Sequence, residues 1–154
     1  MAESDPTAGL LLRVDGHVPH PRTFSLAQLQ ALPQVDLGPT EVVCLSARQV
    51  RRAHHYAGVR ITDLLGETGF GTLPRNTLKQ CVVVCHGADG YRAIFSWNEL
   101  FNTAVGDRAL AIVQRDGRPL ADDPGELSLI SAADLLGGPR NLQALVMVEA
   151  CLLP

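Results

Sequence analysis

The stretch from Glu41 to Tyr56 reads EVVCLSARQVRRAHHY. An apolar run closes on Cys44, and Arg48, Arg51, Arg52, His54 and His55 follow before the tyrosine. A thiolate is a nucleophile and a soft metal ligand, and neighbouring cations lower its pKa. A guanidinium holds a phosphate or other oxyanion through two parallel N–H bonds. These residue types can therefore build an anion pocket with a metal ligand at its mouth. Taken locally, a plainer reading competes: Cys44 as a buried strand-end thiol and the charges as a solvated face. Adjacent histidines on regular structure point apart, so His54 and His55 do not easily chelate one ion.

A second group of soft donors lies in LKQCVVVCHG, residues 78–87. Strand alternation puts Cys81 and Cys85 on one face and His86 on the other. Mid-strand cysteines behave mostly as small hydrophobes, so core packing is expected for the pair. His86, at the strand end, reads as a satisfied structural histidine, with a cleft-facing role as the alternative. No G-x-x-x-x-G-K-[ST] or strand-borne G-x-G-x-x-G occurs, and GETGFG follows a helix signal, where its glycines serve as cap and turn. G-x-S-x-G is absent.

The elements that must position these residues are short. LLLRV (10–14) reads as a strand and Asp15-Gly16 as a turn. Ser25 with Gln28 forms a capping box for a short helix stopped by Pro33. EVVCLS (41–46) reads as a strand. GVRITDLLGETGF reads as strand then helix, with Thr62 at the cap position and Gly69 as the left-handed C-terminal cap. Residues 78–87 are apolar on both alternating faces, which predicts a strand covered on both sides. Asp89 to Tyr91 turn the chain into YRAIFS, and Ser96 with Glu99 caps the next helix. ALAIVQ (109–114), ELSLIS and LQALVMVEA complete the strands, with RDGRPL a tight turn and GGPRN (137–141) a loop. Strands outnumber helices and lack long crossover helices, so a mixed, β-rich α+β domain is expected rather than a doubly wound sheet.

The chain has 154 residues, 46% of them hydrophobic and 19% charged, with net charge −3. That composition suits one globular domain over 10–154 behind a frayed tail over 1–9. The mild acidity argues against nucleic acid as a partner, and no apolar run is long enough for a membrane span. The opening MAESDPTAGLLLRV lacks the pattern of a signal peptide, which reads as cytoplasmic as written, or periplasmic had a leader been removed. In a reducing compartment the four cysteines are expected to be free thiols.

Five collinear segments resemble one family. LRVDGHVPHPRTFSLAQLQALP is similar to the opening of the sulfite-oxidase-type molybdopterin-binding domain. There a V-x-G-x-V turn and a short helix lead to a strand ending in the molybdenum-ligating cysteine. Cys44-Leu45-Ser46-Ala47-Arg48 stands where that family has C-x-G-N-R. YAGVRITDLLGETG resembles its aromatic-x-G-V-x-L-x-D-L-L segment, and DGYRAIFSWNEL its D-G-Y strand and helix. ALAIVQRDGRPLADDPGELSLI resembles the stretch ending in P-[VL]-R-[LV]-V, and GGPRNLQALVMVE the G-x-R-N-V-K-W strand. The resemblance spans about residues 10–150 and implies a small stand-alone member with the family's layered α+β fold.

It also implies a site. Cys44 would ligate molybdenum through its own thiolate, adding to the dithiolene of the pterin. Cys44, Arg48 and Tyr91 would be the catalytic set. Arg48, Arg51, His54, His55, Asp89, Arg140 and Asn141 would bind the molybdopterin cofactor. The activity would be oxygen-atom transfer on a small anionic substrate, with a redox partner protein. Departures fall on the same site. Glu126-Leu127-Ser128 replaces P-[VL]-R, Leu142-Gln143-Ala144 replaces V-K-W, and Asp122 or Asp123 replaces a histidine. Two cations are lost and an acid gained, which weakens a site for a phosphate dianion. The second expectation is therefore a non-catalytic module on the same fold, without molybdenum, binding a small anion or a partner.

Overall fold

The computed structural model describes residues 9–40 and 54–154. Strands β1 (Leu11–Gly16) and β2 (Arg22–Ser25) lead into helix α1 (Leu26–Gln30), and β3 (Val35–Thr40) follows. Beyond residue 53 come β4 (His54–Arg60), α2 (Ile61–Gly66), a 3₁₀ turn (Phe70–Thr72) and α3 (Arg75–Leu78). Then come β5 (Cys81–Gly87), β6 (Arg92–Ser96), α4 (Trp97–Asn102), a 3₁₀ segment (Ala104–Arg108) and β7 (Ala109–Arg115). The chain closes with β8 (Arg118–Pro119), β9 (Ser128–Ser131), β10 (Leu142–Gln143) and β11 (Leu145–Leu152).

Two sheets result. One has the order β2-β1-β11-β5-β6, and the other β10-β9-β7-β4-β3 with β8 paired to β7. Among the described pairs only β1 with β11 is parallel. This is the β-rich α+β architecture that the strand-heavy pattern predicts. The main core draws on both sheets: Leu12, Val14, Val83, Cys85, Phe95 and Val148 from the first, Val59, Ala111, Val113 and Leu129 from the second. Leu29, Leu64, Leu65 and Phe70 close it from the helical segments. Such side chains contribute about 1.5–3 kcal/mol each on burial, which is why the alternating residues fix each strand's register. A smaller cluster of Leu37, Tyr56, Leu110, Ile112 and Ile130 lies on the second sheet, on alternate residues to the first.

Both capping boxes form. The Ser25 hydroxyl accepts from the Gln28 N–H at 3.2 Å while Gln28 accepts from the Ser25 N–H at 2.8 Å. Ser96 and Glu99 repeat the arrangement at 2.9 and 3.0 Å. Three local expectations need correction. Thr62 is inside α2, whose N-cap is Arg60 without a side-chain cap bond. The C-cap of α2 is Glu67, and Gly69, left-handed as expected at φ 77°, opens the 3₁₀ turn beyond it. The β5 strand is fully covered on one face only, because Val82 and His86 on the other are half-buried.

VDLGPT is a strand despite its glycine and proline. It is the edge of its sheet, where a proline needs no ladder partner. A register shift between Asp36 and Gly38, with Gly38 at φ 69°, absorbs the extra residue. The strand expected over 41–46 lies outside the described residues.

The chain passes from one sheet to the other between β10 and β11. Ala144 makes that step at φ 55°, and its carbonyl accepts from the Ala88 N–H at 2.8 Å. A side chain in that left-handed region costs about 1 kcal/mol. Ala144→Gly is therefore expected to raise stability by about 0.5–1 kcal/mol, read as a higher urea midpoint at unchanged slope. A lower midpoint would show that the alanine methyl group contributes more by packing than its backbone loses by strain.

Candidate functional site

The nominated residues that the structure describes form two groups. The first is at the start of β4. His54 pairs across the sheet with Thr40, so both ends of the segment 41–53 emerge there. His54 Nδ1–H donates to Asp116 Oδ2 at 2.8 Å, and the His55 backbone N–H donates to Asp116 Oδ1 at 2.9 Å. His55 Nε2 pairs with Asp36. The two carboxyls are held below their ordinary range. For Asp116 the causes are the His55 backbone bond and then His54; for Asp36 they are the His55 ring and then the Gly38 N–H. A cleft of about 390 Å³ lies here, lined by Asp36, His55, Ala57, Gln114, Asp116 and Gly117. With two carboxylates in its wall, it repels rather than attracts a dianion.

The second group is built around Arg140. Its Nε–H and Nη2–H donate to the two oxygens of Asp134 at 2.9 and 2.7 Å, a bidentate fork. Nη1 donates to Glu99 Oε2 at 3.0 Å and to the Ile94 carbonyl at 3.2 Å. The guanidinium carbon stands 4.3 Å from the centre of the Phe95 ring. The bonds to Asp134 above all push the Arg140 pKa up; burial, next in size, opposes them, and the charges of Asp134 and Glu99 add to the rise. Asn141 is buried, and its Oδ1 accepts from the Ser131 N–H at 2.9 Å. The Tyr91 hydroxyl donates to the Pro139 carbonyl at 2.6 Å, and the Tyr91 N–H donates to Asp89 Oδ1 at 3.0 Å. Asp89, Tyr91, Arg140 and Asn141 thus share one corner, where the edge strand β6 meets the 137–141 loop.

The two groups do not meet. Ser131, bonded to Asn141, pairs with Ala109 at one end of β7, while Asp116 lies past the other end. Ala109 and Asp116 are about 23 Å apart at the usual rise of an extended strand. Cys44, Arg48, Arg51 and Arg52 lie outside the described residues.

Four acids that sequence reasoning passed over hold these groups in place: Asp36, Asp116, Asp134 and Glu99. Glu99 carried a sequence signal, but only for its capping role. Its Oε1 accepts from Ser96 while Oε2 accepts from Arg140. Asp122, one of the two acids at the replaced histidine, accepts from the Leu10 N–H at 2.9 Å and so secures the start of β1. Among the described residues no three His, Cys, Asp or Glu side chains converge as a metal site. His86 Nε2 donates to Glu149 at 2.9 Å.

Cys81 and Cys85 are free thiols in the core, and Cys151 is free and half-buried. Complete burial pushes the Cys85 thiol up to about 12. The folded state thus favours the protonated thiol. That contribution is complete below the ordinary value of 9.0 and is lost as pH climbs toward 12. Stability is therefore expected to fall across that window, and Cys85→Ala should shrink the fall. Equal slopes of stability against pH for the two proteins would remove Cys85 as a cause.

Two layered sheets with short helices, closed by a cross-linked β9–β10 corner, define the class: a small β-rich α+β domain. A family model described as the oxidoreductase molybdopterin binding domain matches residues 4–126, and the chain belongs to that family. The fold is similar to that of the sulfane dehydrogenase SoxCD from Paracoccus pantotrophus, with a TM-score of 0.68 over 97% of this chain at 15% identity. This chain spans 40% of the length of that one. A search of curated proteins finds no match. No helix among the described residues is long and apolar enough to cross a membrane.

The family's cofactor is a pterin that carries a phosphate. The described candidates do not fit that dianion. Arg140 is committed to two carboxylates, and His54 and His55 each face an aspartate.

Proposed function

We propose that this chain is a member of the molybdopterin-domain family with a degenerate cofactor site, working as a non-catalytic module that binds a small anion or a partner protein. The observation that carries this reading is the commitment of Arg140, the cation retained from the R-N-V-K-W pattern, to Asp134 and Glu99. A phosphate would have to displace two carboxylates that are already tethered in place, and that exchange gains little. Arg48, Arg51 and Arg52, the other nominated arginines, lie outside the described residues. Metal analysis and pterin fluorescence on protein produced in a molybdenum-replete host test the reading. It expects neither group in the purified chain; stoichiometric molybdenum with pterin overturns it.

A second reading is favoured by Cys44 and Arg48, whose stretch Cys44-Leu45-Ser46-Ala47-Arg48 resembles the family's C-x-G-N-R motif at its cysteine and arginine. There the chain is an oxidoreductase that moves an oxygen atom to or from a small anionic substrate. Cys44 would be the metal ligand, Arg48 and Arg51 would orient the anion, and Tyr91 would complete the catalytic set. A bound molybdenum–pterin group would supply the two-electron step. Under this reading Cys44→Ser abolishes the redox activity, whereas the module reading expects ligand binding without any redox activity in either protein.

A further inference from the structure

We infer that the cleft of about 390 Å³ at the start of β4 is a binding site for an organic cation, a guanidinium or primary ammonium group, separate from the anion or partner site of the proposed function. The sheet itself builds this cavity. Asp36, Ala57 and Gln114 form one row across β3, β4 and β7, because Asp36 pairs with Ala57 and Ala57 with Gln114. Register shifts adjoin that row in both pairings, between Asp36 and Gly38 and between Ala57 and Gly58. Such bulges bend a strand and re-aim its side chains. Ala57 and Gly117 are small and leave room among the polar groups of the lining. Asp116 and Gly117, at φ 55° and 76°, make the tight turn between β7 and β8, which brings the Asp116 carboxylate into the same wall.

The lining is arranged to receive a donor. Asp36 takes both of its bonds on Oδ1, one from the Gly38 N–H at 2.7 Å and one from His55 Nε2. Its Oδ2 has no partner among the described residues, and the side chain is 64% exposed. The half-buried Gln114 side chain makes no hydrogen bond among the described residues either. A cation with several N–H donors can meet Asp36 Oδ2 and the Gln114 carbonyl together while its carbon end rests on Ala57. Asp116 adds charge, with its two oxygens already held by His54 and the His55 N–H. Both carboxyls titrate below their ordinary range, so both are ionised at neutral pH. Arg115 and Arg118 are exposed and outside the lining, and the charge of Arg115 is the least of the influences on Asp116. A hard divalent ion needs several oxygen ligands at once, and among the described residues no three His, Cys, Asp or Glu side chains converge.

A ¹H–¹⁵N titration followed at Gly117 and at the Gln114 side-chain amide tests the site, with methylguanidinium as the probe and methylurea as its uncharged isostere. The wild-type chain is expected to give saturable shifts with methylguanidinium and none with methylurea. Asp36→Asn keeps the Oδ1 acceptor on an exposed side chain and should weaken binding at least about tenfold. Asp116→Asn, in which asparagine tolerates the left-handed turn, should weaken it less. Equal shifts from methylurea, unchanged affinity in a folded Asp36→Asn protein, or no saturable response overturns the inference. A capped peptide with a central arginine separates the two sources of such a group. Tighter binding than methylguanidinium puts the cation on a partner protein, and weaker binding makes it a free small molecule; either order upholds the site. Neither variant touches Cys44 or Arg140, so failure here leaves the proposed function standing.

Discussion

Arg140→Ala is expected to lower the stability of the fold by about 3 kcal/mol, the cost of leaving a tethered carboxylate without its cation. The Asp134 side chain is only 12% exposed and that of Arg140 20%, so water replaces the lost bonds poorly. Glu99, at 39%, is rehydrated more easily and adds less. The loss also has a mechanical side. One guanidinium ties together the edge strand β6 through the Ile94 carbonyl, helix α4 through Glu99, and the β9–β10 connection through Asp134. Arg140→Lys keeps the charge but not the planar fork, and should recover about half of the loss. Urea denaturation of the three proteins measures this. A loss for Arg140→Ala below about 1 kcal/mol, the worth of an exposed ion pair, would show that the clasp carries no weight.

Phe95→Ala is expected to cost about 3–5 kcal/mol, the range for truncating a fully buried aromatic ring. Phe95 is 0% exposed and sits on β6 opposite Val83 in the main core. It also supports the Arg140 guanidinium, so the two effects should not add. A double-mutant cycle should give a coupling of about 1 kcal/mol, in the direction that the second loss is smaller once the first is made. Strict additivity would mean that Arg140 is held by its carboxylates alone and that the ring beneath it only fills space.

The particular residues show how far local patterns reach. Ser25 with Gln28 and Ser96 with Glu99 were legible because a capping box is satisfied within one turn of chain. The inward set Cys81, Val83 and Cys85 was legible because strand alternation leaves one face for the core. Gly69 was legible as a left-handed residue but not in its place, since where a short helix ends depends on what packs against it. VDLGPT was not legible as a strand, because its glycine and proline are tolerated only at a sheet edge with a bulge, and edge position is a property of the whole sheet.

For the candidate site, the residue types and their order along the chain were enough to point to the molybdopterin-domain family and to nominate Cys44, His54, His55, Tyr91, Arg140 and their neighbours. Only the folded arrangement decided which nominees share a place. It separated His54 and His55 from Arg140 and Asn141 by the length of β7. It also matched Arg140 to Asp134 and Glu99, His54 to Asp116 and His55 to Asp36, each an acid from elsewhere in the chain. The physical reason is range. Caps and alternation are settled by neighbours along the backbone, whereas the charge that a ligand meets is summed over side chains that only sheet pairing and loop closure bring within a few ångströms.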